Sequence, residues 1–93
     1  MVKWSSVARA DLKDIHAFIS RDSKYYANQV ASEIVDKSEH LELFPNMGRS
    51  VEEFNDPNLR EIFIYSYRLI YQITGEDLEV VTIIHCRRNF TPD

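Results

Sequence analysis

Residues 67–86 read Tyr67-Arg68-Leu69-Ile70-Tyr71-Gln72-Ile73-Thr74-Gly75-Glu76-Asp77-Leu78-Glu79-Val80-Val81-Thr82-Ile83-Ile84-His85-Cys86. β-Branched and aromatic residues crowd both halves, and Gly75-Glu76-Asp77 interrupts them. Such a pattern predicts two strands, 67–74 and 78–86, closed into a hairpin by a tight turn. Register decides which side chains meet, because a slip of one residue moves every side chain to the other face. With Gly75 opposite Leu78, Arg68 opposes His85, Ser66 opposes Arg87, Leu69 opposes Ile84 and Ile73 opposes Val80. One face then gathers Arg68, His85 and Arg87; the other gathers Leu69, Tyr71, Ile73, Val80 and Ile84. With Thr74 opposite Leu78 instead, Arg68 meets Ile84 and the basic groups divide between faces. The first register segregates polar from apolar side chains and is the one expected.

Working outward, residues 60–65 form a third apolar run and predict another strand. Before it, residues 45–59 hold two prolines, a glycine and several acids, which makes a long loop of the kind that often carries function. Upstream the apolar period changes. Ala27, Val30, Ile34, Leu41 and Phe44 predict a helix over about 23–43. Pro45 ends it, since the residue before proline avoids helical geometry. Ala8, Leu12, Ile15 and Ile19, with Phe18 alongside, predict a helix over 6–20. Ser5 or Ser6 is placed to cap the first helix and Asp22 or Ser23 the second, each offering an oxygen to the free first-turn amides. About three polar residues separate the helices, so they form an antiparallel hairpin. Val2 to Trp4 is a short opening strand. The order is β-α-α-β-β-β: an α+β fold, with a twisted, mainly antiparallel sheet and the N-terminal helical hairpin packed on one face.

The 93 residues are 44% hydrophobic and 28% charged, which fits a single domain over 1–93 with a modest core. A 12% aromatic share and a net charge of −4 exclude a disordered chain. Cys86 is the sole cysteine, so no internal disulfide forms, as suits a reducing cytosol. No stretch approaches the ~18 apolar residues of a membrane span, and the N-terminus lacks the apolar run of a signal peptide. A soluble, cytoplasmic protein is expected. The acidic balance argues against a general nucleic-acid coat. Charge is uneven, however: residues 1–21 carry four basic and two acidic groups, residues 22–59 three and eight, and residues 60–93 four and five.

Signatures of familiar enzymes are missing: no Gly-rich phosphate loop, no nucleophile elbow and no paired-histidine metal spacing. His16, His40 and His85 stand far apart, so neither a metal nor another cofactor is expected. The cluster that stands out is Arg60, Arg68, Arg87 and Arg88 with His85. Guanidinium groups grip phosphate or carboxylate in bidentate fashion, and a histidine titrates near neutrality. Against this, the arginines have ready internal partners in Glu52, Glu53 and Glu61. Glu52-Glu53 is a candidate general base, although an exposed acidic loop is the plainer reading. Cys86 beside arginines is a candidate low-pKa thiol or a small packing residue. Trp4, Tyr65, Tyr67 and Tyr71 are candidates for base stacking or for the core.

Several short motifs, in order, resemble one family. Trp4, Ala10-Asp11-Leu12-Lys13-Asp14-Ile15 and Ile19 resemble the first strand and helix of the RelE/ParE toxin superfamily. Leu43-Phe44-Pro45-x-x-Gly48-Arg49 resembles the helix end and turn of its ParE-like branch. Arg60-Glu61, Tyr67-Arg68-Leu69-Ile70-Tyr71 and Ile84-His85-x-Arg87 resemble its sheet. The resemblance implies a small toxin of a type II toxin–antitoxin system, bound by a cognate antitoxin, on the β-α-α-β-β-β fold already read.

Two activities occur on that fold, so the fold alone does not assign one. RelE-like members cleave mRNA in the ribosome; ParE-like members inhibit DNA gyrase. For a nuclease, the resemblance implies catalytic roles for Arg68 and Arg87, with His85 the candidate substitute for the family's proton-transfer group. The C-terminal His/Tyr pair of similar nucleases reads Asn89 and Phe90 here, and neither titrates. Residues 45–59 contain only Arg49 where RelE-like members are lysine-rich, and few cations bind ribosomal RNA weakly. Both departures favour a ParE-like gyrase inhibitor over an endoribonuclease acting on ribosome and mRNA; a non-toxic antitoxin-binding module is a third alternative. The expected partner surface is Arg60, Arg68, Arg87, Arg88 and Phe90; the expected antitoxin surface is Phe18, Tyr25 and Tyr26 on the helical hairpin.

Overall fold

A computed structural model describes residues 2–87. The elements are β1 (Val2–Trp4), α1 (Ser6–Ser20), α2 (Lys24–Leu43), β2 (Arg49–Ser50), β3 (Leu59–Ile64), β4 (Tyr67–Thr74) and β5 (Asp77–His85). Five strands form one sheet in the order β1-β5-β4-β3-β2, antiparallel throughout except where β1 runs parallel to β5. The α+β architecture with a helical hairpin on one face is the one the sequence predicts. The caps resolve to Ser5, whose Oγ accepts from the Ala8 amide at 3.0 Å, and Ser23, which serves Tyr26 at 3.1 Å.

Two features differ from expectation. The 45–59 segment is not all loop: it contributes β2, which pairs Arg49 with Glu61 and Ser50 with Arg60. The register of the β4–β5 hairpin also differs. Tyr67 opposes His85, Arg68 opposes Ile84 and Leu69 opposes Ile83; after a bulge, Tyr71 opposes Val80, Ile73 opposes Leu78 and Thr74 opposes Asp77. Val81 is the extra residue. The turn therefore tightens to Gly75-Glu76, with Gly75 at φ +62°, a conformation glycine adopts without strain.

The physical reason is that the sheet has no bare face in its centre. Leu69 and Tyr71 join Ala8, Ile15, Val30, Ile34 and Leu41 beneath the helices, while Ile70 packs with Val51 and Leu59 under the 45–59 segment. Segregating polar from apolar faces is thus the wrong criterion for β4. The bulge lets Val80 and Ile83, three positions apart, both reach the helix-side core.

The edge of β5 beyond β1 is closed by α1 and its cap. Ser5 donates its amide to the Val80 carbonyl at 3.0 Å and its hydroxyl to the Val81 carbonyl at 2.7 Å. Asp11 Oδ2 accepts from the Thr82 hydroxyl at 2.5 Å and the Ile83 amide at 3.0 Å. These bonds satisfy polar groups of β5 that lie past the end of β1.

Candidate functional site

Alternation along β4 places Arg68 on the face covered by the 45–59 segment, beside Glu61 across on β3. Glu61 is almost fully buried, with 1% of its side chain exposed, and Arg68 shows 7%. Arg68 Nε donates to Glu61 Oε1 at 2.7 Å, and its Nη1 and Nη2 donate to Glu53 at 3.0 and 2.8 Å. Arg49 Nε donates to the other Glu61 oxygen at 3.0 Å. Two arginines and two carboxylates thus neutralise one another across three segments. Hydrogen bonding to Glu53 first, and then to Glu61, raises the Arg68 pKa against the lowering effect of burial, so the guanidinium stays charged. Glu53 is engaged as an anion partner rather than standing free as a base.

Arg60 lies on the opposite face, since it pairs with Tyr71. Its Nη1 donates to the Gly48 carbonyl at 2.7 Å, and its buried Nε has no partner among the described residues. The Tyr71 hydroxyl donates to the Pro45 carbonyl at 2.7 Å and accepts from the Gly48 amide at 2.9 Å. Burial pushes the Tyr71 pKa up, while the Gly48 hydrogen bond and the Arg60 charge pull part of the way back. A Cβ at Gly48 would stand 2.6 Å from both the Glu61 carbonyl oxygen and the Tyr71 hydroxyl. Steric exclusion therefore explains the glycine in the Phe44-Pro45-x-x-Gly48-Arg49 turn.

His85 is exposed, shares a face with Tyr67 rather than Arg68, and stacks edge-on against the Tyr67 ring at 5.9 Å. Its Nδ1 accepts from the Arg87 amide at 3.2 Å. Arg88 and Phe90 lie outside the described residues. The arginines that the sequence groups together are therefore divided: Arg68 is neutralised on one face, Arg60 is tied to backbone on the other, and Arg87 is exposed past β5. Arg68 and His85 do not converge. Trp4 packs on the helix-side core, and Cys86 is exposed.

Among the described residues, exposed large apolar side chains include two groups. At the turn of the helical hairpin, Phe18, Tyr25 and Tyr26 are 64%, 73% and 45% exposed. Tyr65 adjoins them: it meets Tyr26 edge-to-face at 6.1 Å, and its hydroxyl reaches Glu33 at 3.4 Å. Tyr65 holds φ +55°, a strained value for a bulky residue, in the two-residue β3–β4 turn. The Tyr65-Ser66 pair between two strand runs is the sequence signal for that placement. The second runs through Phe44, Met47 and Phe63, with the Arg49 guanidinium 4.8 Å from the Phe63 ring centre. Sequence reading assigned Phe44 to the helix stripe and missed the others. Among the described residues no three His, Cys, Asp or Glu side chains gather as a metal site, and no helix is long and apolar enough to cross a membrane.

Comparison with known proteins agrees with this fold. The family model describing the ParE toxin of type II toxin-antitoxin system, parDE, matches residues 2–90. No curated protein sequence matches the chain. Among solved structures, the chain is similar to the chromosomal ParDE TA system from P. aeruginosa: TM-score 0.73 at 20% identity, covering 90% of this chain and 92% of that one.

Proposed function

The chain belongs to the ParE toxin family of type II toxin–antitoxin systems, and from that premise we propose that it inhibits DNA gyrase in the cytoplasm and is neutralised by a cognate antitoxin. The observation that carries the choice of target is the state of Arg68. Cleavage of mRNA needs a cation free to meet the developing phosphorane charge and a proton-transfer group beside it. Here Arg68 is buried and matched by Glu53 and Glu61, and His85 sits on the other face of the sheet. A protein that binds gyrase needs no such constellation. It needs exposed contact groups, for which Arg87, with Arg88 and Phe90 following it, is the proposed gyrase-facing segment. Phe18, Tyr25 and Tyr26 are the proposed antitoxin anchors, fitting a helical segment with apolar residues at i, i+3/i+4 and i+7.

Inducing the toxin without antitoxin tests the assignment. Gyrase supercoiling should fall in a purified assay, while ribosome-bound mRNA stays intact. Codon-positioned mRNA cuts with normal supercoiling would give the chain to the ribosome-dependent nucleases instead.

A further inference from the structure

Cys86 and Arg87 form a turn directly after β5, and two contacts hold it. The Cys86 amide donates to the Ser66 carbonyl at 2.8 Å, which carries the β4–β5 pairing one step past Tyr67 and His85. Ser66 follows Tyr65 in the β3–β4 turn, and Tyr65 is braced on α2 by the Tyr26 ring and by Glu33. The chain therefore leaves the sheet from a backbone position tied to the helical layer. The second contact runs from the Arg87 amide to His85 Nδ1 at 3.2 Å. A polar side chain that accepts from the amide two residues on is a local device for setting a turn.

The surroundings of His85 suit that task. A ring nitrogen that accepts from an amide carries no proton, so the His85 proton sits on Nε2. The ring stands edge-on to Tyr67 at 5.9 Å, and Tyr67 packs on the helix-side core. A fixed ring fixes Nδ1, and with it the Arg87 amide. Arg87 itself is exposed, and its guanidinium pairs with no carboxylate among the described residues. It is a cation offered to solvent from a backbone held at both residues of the turn. A contact group held in this way loses less conformational freedom when a partner takes it.

We propose that His85 is a positioning residue for the gyrase-facing contact. It acts through the Arg87 amide, setting the 86–87 turn so that the guanidinium meets its target in one orientation. This rests on the gyrase reading above and adds to it the side chain on which Arg87 depends. It also gives His85 a task that involves no proton transfer.

Two substitutions in the full chain separate the ring from its acceptor. His85→Phe keeps a ring against Tyr67 and loses the acceptor. His85→Asn loses the ring and keeps an oxygen near the place of Nδ1. Each is titrated into a gyrase supercoiling assay, with a thermal melt and amide exchange at Arg87 by NMR alongside. His85→Phe should need about three- to tenfold more protein for half-inhibition, the span expected for one lost hydrogen bond. Its Arg87 amide should exchange faster by about the same factor. His85→Asn should stay within about twofold of the parent in both measurements, and both variants should melt within about 4 °C of it. Undiminished inhibition by His85→Phe overturns the positioning role and leaves the gyrase reading standing. Equal losses in the two variants, or losses that track melting temperature, would make His85 a packing residue and overturn the role as well. A parent chain that leaves supercoiling untouched overturns both readings.

Discussion

Replacing Arg68 with methionine isolates the buried charge network. Glu61 would lose the Arg68 contacts at 2.7 and 2.6 Å and keep only Arg49 at 3.0 Å. With 1% of its side chain exposed, it has no route to water. Removing one partner of a buried ion pair costs about 3–5 kcal/mol. Glu53 also loses its partner, but its side chain is 23% exposed and can rehydrate, so its share is at most about 1 kcal/mol. The Glu61 loss therefore dominates. Against a total stability of about 5–15 kcal/mol, it consumes a large fraction. At about 4–8 °C per kcal/mol for a domain of this size, Arg68→Met should lower Tm by at least about 12 °C in a circular-dichroism melt. Arg68→Met combined with Glu61→Met should recover most of that loss, because both buried charges disappear and Arg49 is exposed enough to stay solvated. A single variant costing under about 1 kcal/mol would refute the reasoning, as would a double variant no more stable than the single one.

Four further outcomes follow from the same geometry. Gly48→Ala should cost about 1–3 kcal/mol in denaturant unfolding, because its Cβ meets the Glu61 carbonyl, which is backbone and cannot swing aside. Asp11→Ala should cost about 1–3 kcal/mol by leaving the Ile83 amide and Thr82 hydroxyl without an acceptor, and should speed exchange of the Ile83 amide. Burial raises the folded-state pKa values of Tyr67 and Tyr71 above 10.0. Their contribution to stability is therefore complete below about pH 10 and is lost as pH rises through the folded values. Denaturant midpoints should hold up to that pH and then drop, less steeply in Tyr71→Phe. Arg87→Ala with Arg88→Ala should abolish gyrase inhibition while changing stability by no more than about 0.5 kcal/mol; retained inhibition would clear that segment of a role.

The helices were legible because each carries its own period and cap: Ala8, Leu12, Ile15 and Ile19 mark a face, and Ser5 and Ser23 mark the starts. The strands were legible from their β-branched runs. The hairpin register was not, because its rule assumes one buried face. Val51 and Leu59 cover the second face, and nothing local announces that a proline-bearing acidic segment folds back onto Ile70. The bulge at Val81 is likewise invisible in Val80-Val81, two residues of identical propensity, since it depends on Ser5 and Asp11 being available to satisfy the interrupted ladder. For the site, composition gathered arginines that strand alternation separates. The availability of Glu53 and Glu61 as partners was readable; which arginine they take was not, because that depends on the β3–β4 register.

Where cationic charge survives on this fold follows from that separation. Arg68 sits under the 45–59 segment, where leaving it unpaired would carry a heavy desolvation cost, so Glu53 and Glu61 must accompany it. Once they do, Arg68 is unavailable to any phosphate that does not first displace Glu53 and lift the segment, with its Val51 and Leu59, from Ile70. Arg60 is held in the same way by the Gly48 carbonyl. The described cations left in solvent include Lys37 and the Glu61-paired Arg49 at the β3 edge, Arg21 against Phe18, and Arg87 past β5. Arg49 and Lys37 line a shallow depression at the β3 edge, and the four do not converge on one point. Peripheral charge beside exposed aromatic and aliphatic side chains suits the binding of protein segments, whereas phosphoryl chemistry needs charge converging on one enclosed point. On the function proposed above, loss of function is expected from changes at exposed contact residues rather than at Arg68 in the centre of the sheet.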